Sequence, residues 1–399
     1  MCASRLLSRR DHGRSESRME FGMKQRMVWL LVACAGWAFN SWAVEPEPGL
    51  ARESVPDWVQ RISVKGDLRL RAESMDIEGK ERRDRGRIRA RVSVKGEVNE
   101  QVDARIRLAT GGDNPVSTNQ TLDEGFSTKD IGLDQAYVDF HPGDGDLNLW
   151  AGKMANPFMR VDDLIWDGDL NPEGLALKYK RAGERVTWLA NGGGFIVDER
   201  KSDSDAFLYG AQLGMAWEPR EEVVLTSGVA YYLYDNLAGF EPVWDANDGM
   251  GNSVVEVEDE EGATSLRYRE EFGELELFSV LDFTLGLPVS LYTDFVVNTE
   301  AAREETAYML GFTLNRAKAP GSWELDYNWR DLEADSVVGL FTDSDSFDGG
   351  TNAQGHRFRV KYQFHSNWQL GSTLFLSKLD PEGEDRDFTR FFADLVFQF

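Results

Sequence analysis

From Ile62 to the C-terminus the chain alternates apolar and polar side chains with a period of two, broken at intervals by turns. That period sends successive side chains to opposite faces of an extended chain, so it predicts strands rather than helices. The start shows it best. Ile62, Val64, Leu68 and Leu70 alternate with Lys65, Asp67, Arg69 and Arg71; Ile88, Ala90, Val92 and Val94 with Arg87, Arg89, Arg91 and Lys95; Val102, Ala104, Ile106 and Leu108 with Asp103, Arg105 and Arg107. The last nine residues, FFADLVFQF, place Phe391, Ala393, Leu395, Phe397 and Phe399 on one face. One face wants lipid and the other wants water.

Read this way, the chain predicts strands near 61–73, 87–95, 102–108, 133–140, 147–153, 174–181, 185–196, 206–217, 223–235, 272–283, 289–298, 306–315, 322–331, 356–364, 368–379 and 388–399. The connections alternate in length. Short ones carry turn chemistry, such as Ala182-Gly183-Glu184, Glu218-Pro219-Arg220 and Ala319-Pro320-Gly321, and long ones fall near 110–131, 154–173, 236–270 and 332–355. Sixteen strands with short turns at one end and long loops at the other predict an all-β fold, a transmembrane antiparallel up-and-down β-barrel. An even strand count leaves both chain ends on the periplasmic side. The terminal strand then pairs with the first and leaves no free edge in lipid. Aromatic residues near strand ends, Trp323, Tyr327 and Trp329 or Tyr362, Phe364 and Trp368, suit interfacial girdles.

The first 60 residues break the pattern. Lys24 and Arg26, the apolar stretch Met27 to Phe39 and the small-x-small site Ser41-Trp42-Ala43 have the order of an export signal, which sets the mature start at Val44 and the true initiator at Met23. Residues 1–43 are thus expected to be the signal with an over-extended start, 44–60 a short periplasmic segment and 61–399 the barrel. Cleavage removes both cysteines, Cys2 and Cys34, and with them any disulfide; the rival reading is an acylation box around Cys34. The whole chain has a formal charge of −25. Seven basic and three acidic residues precede Val44, so the mature chain falls to −29, and nucleic acid is excluded as a partner.

Location matters more than net charge. Arg69, Arg71, Arg87, Arg89, Arg91, Arg105 and Arg107 share the polar face of three adjacent strands, and Arg357, Arg359 and Lys361 repeat the motif near the closing strand. Guanidinium groups at this density need a wet lumen and counter-charge. The third outer loop offers it in Asp162, Asp163, Asp167, Asp169 and Glu173, interleaved with the apolar triplet Leu164, Ile165 and Trp166. If the triplet grips the inner wall, the acids face the arginines across a narrowed gap that sorts solutes by size and charge.

Several stretches carry the resemblance to a known family: GDLRLRAE at Gly66 to Glu73, NPF followed by DLIWDGDLNPEG within Asn156 to Gly174, WELDYNWRDLEAD at Trp323 to Asp335, and the terminal Phe399. The mature chain resembles the bacterial "putative porin" family of Gram-negative envelopes, and more distantly the general trimeric sixteen-stranded porins. The resemblance implies passive diffusion of small hydrophilic solutes and ions through a pore narrowed by the 154–173 loop. It further implies an outer-membrane location among lipid and lipopolysaccharide, Phe399 as the C-terminal signal for the barrel assembly machinery, and homotrimers. The acidic set is placed by loop position only.

Two other readings stay open: a channel specific for an anionic solute, and a surface adhesin or structural barrel. No cofactor, metal or enzymatic activity is expected. His141, His356 and His365 have no serine or cysteine nucleophile nearby in sequence, Asp343, Asp345 and Asp348 match a calcium loop only loosely, and the acidic run at 256–261 is expected to be solvated.

Overall fold

The computed structural model describes residues 57–399 apart from 144, 259–261 and 382. The export signal, its cleavage site at Ala43 and Cys34 lie outside the described residues.

Sixteen long strands form one sheet: β1 Ile62–Ile77, β2 Arg83–Asn99, β3 Val102–Thr110, β4 Ile131–Phe140, β5 Leu147–Lys153, β6 Glu173–Ala182, β7 Val186–Asp198 and β8 Ala206–Arg220 in the first half. The second half comprises β9 Val223–Asp235, β10 Gly273–Thr284, β11 Pro288–Asn298, β12 Thr306–Leu314, β13 Trp323–Leu332, β14 Ala353–His365, β15 Trp368–Leu379 and β16 Arg386–Gln398. Each pairs antiparallel with its sequence neighbours, and β1 pairs with β16 from Asp67↔Gln398 to Ile77↔Phe388. The seam ends in a reciprocal pair. Phe399 N donates to Gly66 O at 3.0 Å and Gly66 N to Phe399 O at 2.8 Å, so the barrel closes without a free edge.

The structure lengthens the first hairpin. β1 runs to Ile77 and β2 starts at Arg83, because Glu73 and Arg85 stand opposite one another on the inner face and pair at 2.6 Å. Two small elements lie outside the strand pattern. Gln120–Thr121 bridges back to Ile88 and Arg87 of β2, and Val254–Glu258 pairs with Thr264–Tyr268 in the loop after β9.

The two faces separate as the alternation predicts. On β14 the side chains of Phe358, Val360 and Tyr362 are exposed while Arg357 is buried, and on β16 Phe391 is exposed while Phe388, Arg390 and Phe392 are buried. Aromatic clusters mark both ends of the outer face: Tyr308 with Trp329 at 5.0 Å at one end, and Phe364, Trp368 and Phe397 stacked at 5.4 and 6.0 Å at the other. The apolar core sits inside the barrel. There Phe195, Leu208, Tyr232, Tyr234, Val296 and Met309 of the wall pack against two loops that fold inward.

Candidate pore constriction

The third outer loop (L3), between β5 and β6, enters the barrel at a glycine pair. Gly152 and Gly174 are cross-strand partners, and Gly152 has φ +123 with room for no side chain, since a Cβ there would lie 2.3 Å from Ala136 O. Met154 N donates to Pro172 O at 2.8 Å and closes the base of the loop. Inside, Phe158 lies on Gly210 of β8, where a Cβ would stand 2.3 Å from its ring, and meets Tyr232 edge-on at 4.9 Å. Gln212 clamps the backbone of Met159 from both sides, accepting from its N–H at 2.7 Å and donating to its carbonyl at 2.9 Å. Leu164, Ile165 and Trp166 are all but fully buried, and Trp166 packs edge-on to Tyr232 at 5.1 Å.

A second loop does the same, and the sequence reading missed it. The sequence predicts L7, between β13 and β14, only as a long outer connection with a loosely calcium-like run; it folds inward and lays Val337, Val338, Leu340 and Phe347 into the same core. Phe341 stacks on Trp166 at 6.1 Å, Asp167 N donates to Phe341 O at 2.8 Å, and Ser344 N donates to the Asp167 carboxylate at 2.8 Å. Asn252, from the loop after β9, ties L7 from above: its amide donates to Ala334 O at 2.7 Å and Val337 O at 2.8 Å, and its oxygen accepts from Gly339 N at 2.8 Å. The signal was in the chain all the same. VVGLF followed by TDSDSFD repeats the layout of L3, an apolar run set among aspartates.

The acids of the two loops divide the arginine wall between them. Asp162 pairs with Arg357; Asp163 bridges Arg357 at 3.0 Å and Arg330 at 2.7 Å; Asp169 reaches Arg91 at 3.1 Å, Arg89 at 3.8 Å and the Thr118 hydroxyl at 2.7 Å. From L7, Asp345 takes Arg71 at 2.7 Å and Arg390 at 2.9 Å, and Asp343 lies 3.5 Å from Arg330. Burial opposes charge on Asp163, but Arg330 and Arg357 outweigh it and hold that carboxyl well below its ordinary range; Arg71 and Arg390 do the same for Asp345, and Arg89 and Arg91 for Asp169. Asp167 and Asp343 behave oppositely. Burial and the neighbouring carboxylates push Asp167 up, and burial with Asp163 nearby raises Asp343 to about 6.

Not every residue of the expected set meets in one place. Asp167 faces L7 and not an arginine, and Glu173 pairs with Lys153 at 2.7 Å at the root of L3. Arg107 pairs with Asp134, Arg105 lies over the Tyr137 ring at 6.0 Å, and Lys361 pairs with Glu324 at 2.9 Å. The wall carries its own counter-charge, which the reading by loops overlooked: Asp67 bridges Arg89 and Arg91, both at 2.8 Å, Glu73 holds Arg390 at 3.0 Å, and Asp326 holds Arg357 at 3.0 Å and Arg359 at 3.2 Å. Near the short-turn end, Asp103, Asp139 and His141 bring metal-type donors within 4.8 Å, with Lys95 on Asp103 at 2.8 Å and Asn148 on Asp139 at 2.8 Å.

Between the loops and the wall of β1, β2 and β14–β16 a cavity of about 230 Å³ remains. Six cations line it (Arg69, Arg71, Arg89, Arg357, Arg359 and Lys361) against four carboxylates, Asp163, Asp343, Asp345 and Asp394.

A family model described as "Putative porin" matches residues 77–254 and 280–399, and the chain belongs to that family. Its fold is similar to that of OprB from Pseudomonas putida, solved at high pH, at 10% identity, with 86% of this chain and 95% of that one covered and a TM-score of 0.55. It is also similar to OmpF from Salmonella typhi, solved in complex with daunomycin, at 10% identity, with coverage of 85% and 97% and a TM-score of 0.51. No curated protein matches the chain. The family, with the closed sixteen-stranded barrel, defines an outer-membrane channel.

Proposed function

We propose that the chain is a passive diffusion channel whose narrowest aperture is built by L3 and L7 together against the arginine wall, and that this aperture favours small anions over cations. The supporting observation is the lining of the cavity between the loops and the wall, where cations outnumber carboxylates and one of those carboxylates, Asp343, is raised to about 6. The mature chain is strongly acidic, which argues for cations. The acids of the outer loops act through water and salt, however, and are screened within about 10 Å, so the local field of the aperture prevails.

Planar-bilayer recording tests this. Ohmic conductance steps support a diffusion channel, and their absence contradicts it and leaves the adhesin reading. Replacing Arg87, Arg89 and Arg91 together by glutamine is expected to weaken anion preference; unchanged selectivity would place the ladder away from the aperture. The same reading takes in what the family resemblance implies: export through a leader ending at Ala43, assembly through Phe399, and trimers set in lipid and lipopolysaccharide.

A further inference from the structure

Of the six cations that line the cavity between the loops and the wall, five pair with a carboxylate at 2.7–3.2 Å. Arg69 alone among them has no carboxylate partner among the described residues; its Nη2 donates to the amide oxygen of Asn119 at 2.5 Å. Arg89 stands directly across from it on β2 and adds a like charge. Asp345 and Asp394, on the same lining, are both taken by Arg71. The charge of Arg69 is therefore the least compensated in the aperture.

Asn119 comes from the second outer loop (L2, residues 111–130 between β3 and β4), which also reaches the inside of the barrel. Val116 is buried in the same apolar core as Leu164, Trp166 and Leu340, and Ser344 of L7 donates to its carbonyl at 2.8 Å. Asp169 of L3 accepts from the N–H and the hydroxyl of Thr118 at 3.1 and 2.7 Å, and Gln120 and Thr121 pair with Ile88 and Arg87 of β2. Asn119 is thus fixed from both sides, and its own carbonyl accepts from Arg87 Nη2 at 3.3 Å. L3 and L7 meet the cavity arginines with aspartates, whereas L2 meets Arg69 with an amide. An amide oxygen accepts the hydrogen bond as a carboxylate does but carries no formal charge, so it orients the guanidinium without cancelling it.

We propose that Asn119 is a specificity-determining residue of the channel, holding Arg69 in place while leaving its charge to passing anions, so that L2 forms a third side of the aperture. The inference rests on the channel reading above and locates the anion preference at one neutral contact. An aspartate at this position would complete the pairing of the lining cations and remove the excess.

The zero-current potential in a potassium chloride gradient, recorded for Asn119→Asp beside the parent, tests this. The exchange is isosteric and sets a carboxylate on Arg69, so the ratio of chloride to potassium permeability is expected to fall about fivefold. Asn119→Ala removes the hydrogen bond but adds no charge, and is expected to move the ratio far less. Gln120→Glu adds the same charge one residue along, on a side chain that meets the backbone of Asp130 instead, and should leave the ratio at its parental value. A parental ratio in Asn119→Asp, or an equal shift in Asn119→Ala or Gln120→Glu, overturns the assignment and leaves the channel standing. Retarded migration of unheated samples on gels shows whether each variant barrel has folded. If Asn119→Asp has not, Arg69→Gln decides: a fall in the ratio, with Arg69→Lys close to the parent, supports the assignment, and a parental ratio overturns it. A parent without current overturns the channel itself, and one that prefers potassium overturns its anion preference; this inference falls with either.

Discussion

Asp163 of L3 and Arg357 of β14 meet face to face, with Arg357 Nη1 donating to both carboxylate oxygens at 3.1 and 3.0 Å. This pair joins the loop that narrows the pore to the wall that charges it, and Arg330 braces it at 2.7 Å.

Asp163→Asn should therefore loosen L3. It leaves Arg330 and Arg357 short of a counter-charge in a mostly buried setting, at a cost of up to about 3 kcal/mol. The expected result in bilayers is noisier open-channel current and stronger anion preference, with folded barrels still recovered. A quiet channel of parental selectivity would mean that L3 is held by its apolar triplet alone.

Asn252 reaches three backbone groups of L7; Ala334 O also accepts from the Thr351 hydroxyl at 2.7 Å, while Val337 O and Gly339 N have no second partner among the described residues. Asn252→Ala is expected to cost about 1–3 kcal/mol locally and to free L7. Single-channel conductance should rise as the aperture widens, and protease cleavage near 339–347 should quicken. Parental values in both would show that L7 is fixed by Phe341 and its neighbours without help.

Gly152 combines φ +123 with a carbonyl 2.3 Å from the position of any Cβ. Gly152→Val should block the turn that lets L3 enter the barrel. The expected outcome is a sharp drop in the fraction of heat-modifiable, folded barrel on gels, and normal assembly would show that the β5–β6 root can relax.

The charge of the aperture should depend on pH through Asp343, raised to about 6 by burial and by Asp163. A carboxylate raised in the folded state holds its proton there more tightly than in the unfolded chain. Its contribution to stability is then fullest at low pH and falls as pH rises through about 6, by which point the carboxylate must be held ionised. For selectivity the sign is the same: below about 6 the aperture loses one negative charge, so anion preference grows on acidification, while Asp163 and Asp345, held low by their arginines, do not change. Asp343→Asn should remove the step from a plot of zero-current potential against pH. A step that survives would belong to another group.

The barrel was legible because a lipid-facing strand writes its geometry into every second residue. All sixteen strands, the alternation of short and long connections and the closure by FFADLVFQF followed from that period. The arginine wall followed from the same parity. The second inward loop did not, since a Val-Val-Gly-Leu-Phe run flanked by acids has no period; only its likeness to Leu164-Ile165-Trp166 separates it from a solvated loop. The partners of the arginines were hidden for a different reason. Asp67, Glu73, Asp326 and Asp394 sit on the arginine face of their own strands, and a reading that sought counter-charge in loops passed over them.

The zero-current potential of the parent protein in a planar bilayer across a potassium chloride gradient tests the central claim most directly. A potential of the sign set by chloride is the predicted result, since the aperture carries more cation than carboxylate. A potential of the sign set by potassium would contradict it and give control of the pore to the acidic outer loops.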